Sequence, residues 1–146
     1  MGDVRPDIER IYEDLSFDRG NLDTVWENQP KLLMRYGVEL ARAERKLADA
    51  KRELDATEAG VYDATRKNLV MNGVKFTETS LEARVRNTVQ YQAKRQAFDL
   101  AQEDATVYRI AVDALRHRRD MIVQASKFAL AELEHIGSGA FNNKRS

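Results

Sequence analysis

Cysteine is absent from the 146 residues, which excludes disulfide staples and thiol catalysis and fits the reducing cytoplasm expected for this chain. Proline occurs twice, at Pro6 and Pro30, and the run from Val74 to Ile136 holds neither proline nor glycine. So long a stretch without a backbone breaker excludes a turn-rich fold there and leaves helix as the reading. No segment approaches the roughly eighteen apolar residues that a spanning helix needs, so no membrane association is expected. The opening residues, MGDVRPDIERIYEDL, carry no apolar stretch behind a basic end, so no secretory signal is expected either. Gly2 is where a myristoyl chain would attach, but that signal asks for Ser or Thr at position 6, where Pro6 stands.

An excess of either charge is also missing. The 24 basic and 24 acidic residues cancel, which argues against a surface that seeks nucleic acid as a whole. Residues 1–28 depart from this balance, with Asp3, Asp7, Glu9, Glu13, Asp14, Asp18, Asp23 and Glu27 against Arg5, Arg10 and Arg19. Such an acidic head suits head-to-tail contacts or a basic partner, or is simply the solvated face of a short helix.

Catalytic groups are scarce. His117 and His135 stand about 27 Å apart along a helix, too far to share a metal or a proton relay. No glycine loop cradles a phosphate, no metal-ligand cluster is evident, and no nucleophile has an evident base. No enzyme activity, cofactor or metal is therefore expected.

What the chain has in abundance is helical periodicity. Leu33, Leu40, Leu47, Leu54 and Val61 occupy one heptad position, and Tyr36, Ala43, Ala50, Thr57 and Ala64 the other. Large residues alternate with alanine, so a partner backbone can approach closely. Gly37 and Gly60 lie off this seam and mark close contacts or a bend. In the second half, Phe98, Ala101, Ala105, Tyr108, Val112, Leu115, Ile122, Ala129, Leu133 and Ile136 form one apolar stripe. Ala97, Leu100, Val107, Ala111, Ala114, Met121, Ala125 and Phe128 form another beside it. A face that wide can serve a partner helix and a second subunit, and Phe98, Tyr108, Val112, Leu115 and Ile122 are the residues expected to oligomerise.

The expected fold is all-α: an elongated hairpin, a coiled-coil-like bundle of two long helices after a short N-terminal helical segment. Residues 1–28 form the acidic segment, 29–137 the hairpin with its turn near 71–80, and 138–146 a disordered tail. Pro6 suits the first turn of a helix from Asp3 to Leu15, where Ile8, Ile11, Tyr12 and Leu15 share a face. Asn21 or Asp23 can cap a short segment carrying Leu22, Val25 and Trp26. The residue before proline is pushed out of the α region, so a boundary is expected at Gln29, with Pro30 opening the first long helix. Asn72-Gly73 supplies its stop. Thr79 and Glu82 have the spacing of a capping box for the second run. If that run breaks, Glu103-Asp104 or Arg116–Asp120 are the expected places; unbroken, it overhangs its partner. Gly137-Ser138-Gly139 is expected to end it.

Basic residues form two sets. Arg66, Lys67 and Lys75 flank the Gly73 turn, followed by Arg84, Arg86, Lys94 and Arg95. Arg116, Arg118 and Arg119 interrupt the apolar face, so at least one lies near the seam. Either Asp113 or Asp120 pairs with it, or the arginines line an opening for a polyanion. Cations that track a backbone, with Tyr62 or Tyr91 to stack on, are how single-stranded nucleic acid is held without sequence preference. The candidate DNA-binding residues are Arg66, Lys67, Lys75, Arg84, Arg86, Arg116, Arg118 and Arg119.

The order of these features carries a resemblance. Phe17-Asp18 and Leu22 lead through Pro30, Leu33 and Arg35-Tyr36 into a long helix beginning Leu40-Ala41-Arg42-Ala43-Glu44. That helix ends in basic residues before Asn72-Gly73, and a capped helix then runs to about Ile136. In this the chain resembles the phage UvsY family of recombination mediators, small helical proteins that load a recombinase onto single-stranded DNA. The resemblance covers most of the chain and lies in helical order and spacing. It implies a DNA-contact role for Arg66 and Lys67, a ring-like homo-oligomer, and contacts with a phage recombinase and a single-strand-binding protein. Where the family places a Tyr-Tyr pair before the glycine turn, this chain has Val70-Met71. The expected function is a mediator that binds single-stranded DNA; the alternative is a helical scaffold or chaperone-like adaptor that binds none.

Overall fold

The first helix, α1 (Ile8–Leu15), starts where Asp7, in extended backbone, accepts a hydrogen bond from the Arg10 N–H. Pro6 therefore precedes the cap and is not the first helical residue. In this computed structural model the structure describes residues 5–143, with side chains through residue 139. Asp3 lies outside the described residues. After a short 3₁₀ turn at Arg19–Asn21, capped by the Asp18 carboxylate, α2 runs from Leu22 to Met71. A second capped start gives α3 (Glu78–Arg86), and α4 (Val89–Asn143) completes the chain. Among the described residues there are no strands, and the two long helices behind a short one are those the periodicity predicts.

The expected boundary at Gln29-Pro30 does not occur, because Pro30 lies inside α2. Proline in a helix interior gives up one backbone bond and costs about 3 kcal/mol. Tertiary bonds hold the preceding residue in place against that cost. The Gln29 amide donates to the Leu115 carbonyl at 2.7 Å, and its side-chain oxygen accepts from Arg118.

The stop at Gly73 is as expected. Gly73 takes φ +67, the Gly73 N–H donates to the Val70 carbonyl and the Val74 N–H to the Leu69 carbonyl, the paired bonds of a Schellman ending. The capping box sits two residues earlier than expected. Thr77, not Thr79, caps α3, and Ser80, not Glu82, returns the bond to the Thr77 N–H. That start directs Leu81 and Val85, one turn apart, into the core.

The long second run does break, but at Asn87-Thr88 and not at Glu103-Asp104 or Arg116–Asp120. There the Thr88 hydroxyl donates to the Val85 carbonyl and accepts from the Tyr91 N–H, ending one helix and opening the next. Gly137 and Gly139 do not end α4, which continues to Asn143. Neither glycine has a positive φ, and each costs the helix only about 1 kcal/mol. The tail expected from 138 is therefore helical as far as Asn143; residues 144–146 lie outside the described residues.

The chain divides into two units. One comprises residues up to Val38 together with those from Arg109 onward; the other is Glu39–Tyr108. In the first, Ile11, Val25 and Tyr36 are buried along with Ala111, Val112, Leu115 and Ile122 of α4. The Tyr36 hydroxyl donates to Asp14 at 2.6 Å, fastening α1 to α2. The Trp26 indole donates to the Ser126 hydroxyl at 3.1 Å, which with the Gln29–Leu115 bond sets α2 and α4 antiparallel there. In the second unit Ala43, Leu54 and Leu69 of α2 are buried along with Leu81, Val85, Tyr91 and Ala105. The Glu53–Lys94 pair at 2.8 Å and the Tyr62–Glu78 bond show the same antiparallel sense. The heptad seam faces inward except at Ala64, where Leu69 takes over; a 3.6-residue turn drifts against a strict heptad. Gly37 and Gly60 have nothing within 4 Å of a would-be Cβ, so they mark no close contact.

Candidate nucleic-acid interface

The turn between α2 and α3 carries the first basic set within the Glu39–Tyr108 unit. Arg66 and Lys67 near the end of α2, Lys75 in the turn itself, and Arg84 and Arg86 in the last turn of α3 are all exposed. Lys67 pairs with Asp63 at 2.9 Å, an i,i+4 contact along α2. Arg66, Lys75, Arg84 and Arg86 have no ion pair among the described residues. Of the nearby acids, Glu78 accepts from the Tyr62 hydroxyl, and that bond, with some burial, raises the Tyr62 pKa. Glu82 is exposed on α3.

Further along, Lys94 is held by Glu53, whose carboxyl it keeps below the usual glutamate range. Arg95 pairs with Asp99 at 3.3 Å and lies over the Phe98 ring, which Lys51 covers too. Lys94 and Arg95 are thus each paired with an acid. Neither tyrosine is free to stack: Tyr91 is buried, and Tyr62 is half-buried with its hydroxyl tied to Glu78.

The second basic set belongs to the other unit, and its residues divide. Arg116 pairs with Asp113 at 3.1 Å and Arg119 with Asp120 at 3.4 Å, both exposed. Arg118 is buried, at 6% exposed, and is not available to DNA. It lies at the centre of the Ala111, Leu115 and Ile122 face, so folding draws it into the core. Neither Asp113 nor Asp120 is its partner. Its guanidinium donates to the Leu15 carbonyl at 3.2 Å, the Ser16 carbonyl at 3.3 Å and the Gln29 side-chain oxygen, and stands over the Phe17 ring. Burial lowers its pKa, and the nearby Asp14 charge opposes that shift. An arginine among apolar residues fits a buried cation as well as a ligand site, and nothing in the sequence singles out Gln29 as its acceptor.

The expected oligomerisation residues also divide. Val112, Leu115 and Ile122 are buried within the chain, because α4 spends this stripe on its own core. Phe98 and Tyr108 are half-buried, Phe98 between two cations and Tyr108 with its phenol pKa raised chiefly by burial. The exposed apolar side chains of α4 are others, including Met121, Phe128, Leu133 and Ile136. The stripe through Ile122 and Ala129 continues to Leu133 and Ile136 past Ser126, the residue that Trp26 reaches from the start of α2.

A shallow cleft in the first unit is lined by Asp14, Phe17, Lys31, Arg35 and Arg118 among others. Its rim mixes both charges and presents no nucleophile beside a base. Among the described residues no three His, Cys, Asp or Glu side chains are grouped to hold a metal, and no helix is long and apolar enough to cross a membrane. Comparison with protein-family models, with curated proteins and with solved structures finds no match to this chain.

Proposed function

We propose that this chain is a non-enzymatic mediator that binds single-stranded DNA through its phosphates, acts as a homo-oligomer and helps load a phage recombinase. The observation that carries the reading is that Arg66 near the end of α2, Lys75 in the turn after it, and Arg84 and Arg86 in the last turn of α3 are exposed with no ion pair among the described residues. Cations left free of protein partners can exchange their counterions for DNA phosphates. A handful of contacts per subunit binds weakly, and several subunits on one strand compensate through effective concentration. Leu133 and Ile136, exposed where the apolar stripe outruns α2, supply a face for self-association. The recombinase and the single-strand-binding protein enter from the resemblance to UvsY-like mediators.

The test is fluorescence anisotropy of a labelled oligo-dT strand titrated with the protein at low and moderate salt. The expected result is binding that weakens steeply with salt and is weaker to duplex of equal length. The same exposed stripe also favours a second reading, a helical scaffold or adaptor that assembles but holds no DNA. An absence of binding at micromolar oligomer in low salt would select it.

A further inference from the structure

Arg66, Lys67 and Lys75, near the Gly73 turn, flank three exposed apolar residues in the sequence. Val70 is 63% exposed, Met71 86% and Val74 41%. A single exposed apolar residue is ordinary, but three within five positions at a helix end, where polar residues would solvate the turn, call for a partner. Helical spacing sets each of the first two above a cation: Arg66 is one turn before Val70, and Lys67 one turn before Met71. Past Gly73, Val74 is followed at once by exposed Lys75. The turn is an apolar cap with a cation free of ion pairs beside Val70 and another beside Val74, while Lys67, beside Met71, is paired with Asp63.

We infer that Val70, Met71 and Val74 contact the unstacked bases of a single strand while the neighbouring cations hold its phosphates. This rests on the proposed DNA-binding function and adds the means of telling single strand from duplex. Phosphates alone do not make that distinction, because both forms present them. Bases do: a duplex hides their faces in the stack, and a single strand bares them. A methionine thioether makes favourable contacts with aromatic rings, and valine offers apolar surface to a thymine methyl. Because every base has a π-face, such contact is indifferent to sequence. An anionic lipid surface would suit the charge, but interfacial anchors use Trp, Phe or Leu. The turn exposes none of these, and Phe76 is half-buried.

The test compares oligo-dT with an abasic strand of equal length, using the full chain and its Val70→Asn/Met71→Gln variant. Both positions are exposed, so helix content by circular dichroism should be unchanged in the variant. The native chain is expected to prefer oligo-dT by roughly five-fold, the worth of about half-burying one apolar side chain. The variant should lose that preference, bind both strands as the native chain binds the abasic one, and keep the native salt dependence. A variant that keeps the preference overturns the base contact and leaves DNA binding through phosphates standing. A native chain that binds neither strand overturns the proposed function and this inference together. Two further controls are the mass in solution and the binding to phosphatidylserine–phosphatidylcholine vesicles. If the variant changes either while strand preference stays native, the cap serves a second copy or a lipid surface, and the inference is wrong.

Discussion

Replacing Arg118 with methionine tests the buried polar contacts that join α1, α2 and α4. Methionine keeps much of the length and the packing on Phe17 but withdraws the donors to Leu15, Ser16 and Gln29. Gln29 is 4% exposed, so its stranded side-chain oxygen costs about 1–3 kcal/mol. The half-buried Leu15 loses a charge-assisted bond worth roughly 1 kcal/mol more, whereas water can replace the bond at exposed Ser16. Relief from burying a guanidinium returns about 1 kcal/mol, leaving a net loss of roughly 1–3 kcal/mol. Gln29→Leu made in the methionine background removes the stranded acceptor and should recover about 1–2 kcal/mol. The Leu115 carbonyl, which also loses its Gln29 donor, keeps its own helical bond. Urea unfolding followed by helical circular dichroism, at one fixed protein concentration, measures all four corners of this cycle. Losses that simply add, or an Arg118→Met variant within about 0.5 kcal/mol of native, would refute the account.

Four other expectations follow from the same contacts. Arg66→Ala with Arg84→Ala should weaken oligo-dT binding and flatten its log–log salt dependence by roughly 0.7 per lost cation, read by anisotropy; an unchanged slope would clear both residues of phosphate contact. Leu133→Asp should lower the mass in solution with helix content intact, while Leu115→Asp, which buries a charge at a fully enclosed position, should unfold the chain; light scattering beside circular dichroism separates the two. Gly60→Ala, with open space around it, should raise unfolding stability by about 0.5–1 kcal/mol, and Gly73→Ala, at φ +67, should lower it by about 1 kcal/mol. Burial first, and then the bond to Asp14, hold the Tyr36 phenol well above its ordinary pKa near 10, so its contribution is intact below that pH and is lost as pH rises further; Tyr36→Phe should flatten the loss of stability measured above about pH 10.

The sequence made the repetitive features legible and left the singular ones hidden. The seam from Leu33 to Val61 could be read because a helix repeats its core face every few residues. The helical setting of Pro30 is hidden in the sequence because the bonds to the preceding Gln29 come from Leu115 and Arg118, far along the chain. The α3 cap was ambiguous because Thr77 and Thr79 each have a polar side chain three residues on. Burial of Leu81 and Val85 decided between them. The break at Asn87-Thr88 uses hydroxyl and backbone bonds in place of glycine or proline, so it left no conspicuous mark. At the candidate site, the basic group around Gly73 was legible because its members are close in sequence. The fate of Arg118 was not, since a cation amid apolar residues fits a buried tie as well as a ligand site. Core and interface stripes look alike in sequence, so Leu115 and Ile122 fit a second subunit as well as the α2 that covers them.

The Gln29–Arg118 contact has a consequence for alignment. A seam that repeats every seven residues is nearly as well satisfied after a slip of seven, since leucine again meets an alanine-sized gap. Such a chain has several nearly equivalent ways to pair its long helices. Gln29 and Arg118 have no counterpart one heptad away, where Tyr36 and Leu22 flank the one and Ala111 and Ala125 the other. A slipped pairing would leave a guanidinium and an amide in the core without each other, an error of several kcal/mol that no apolar contact repairs. One polar pair thus selects a single alignment from the set that the repeat alone would permit.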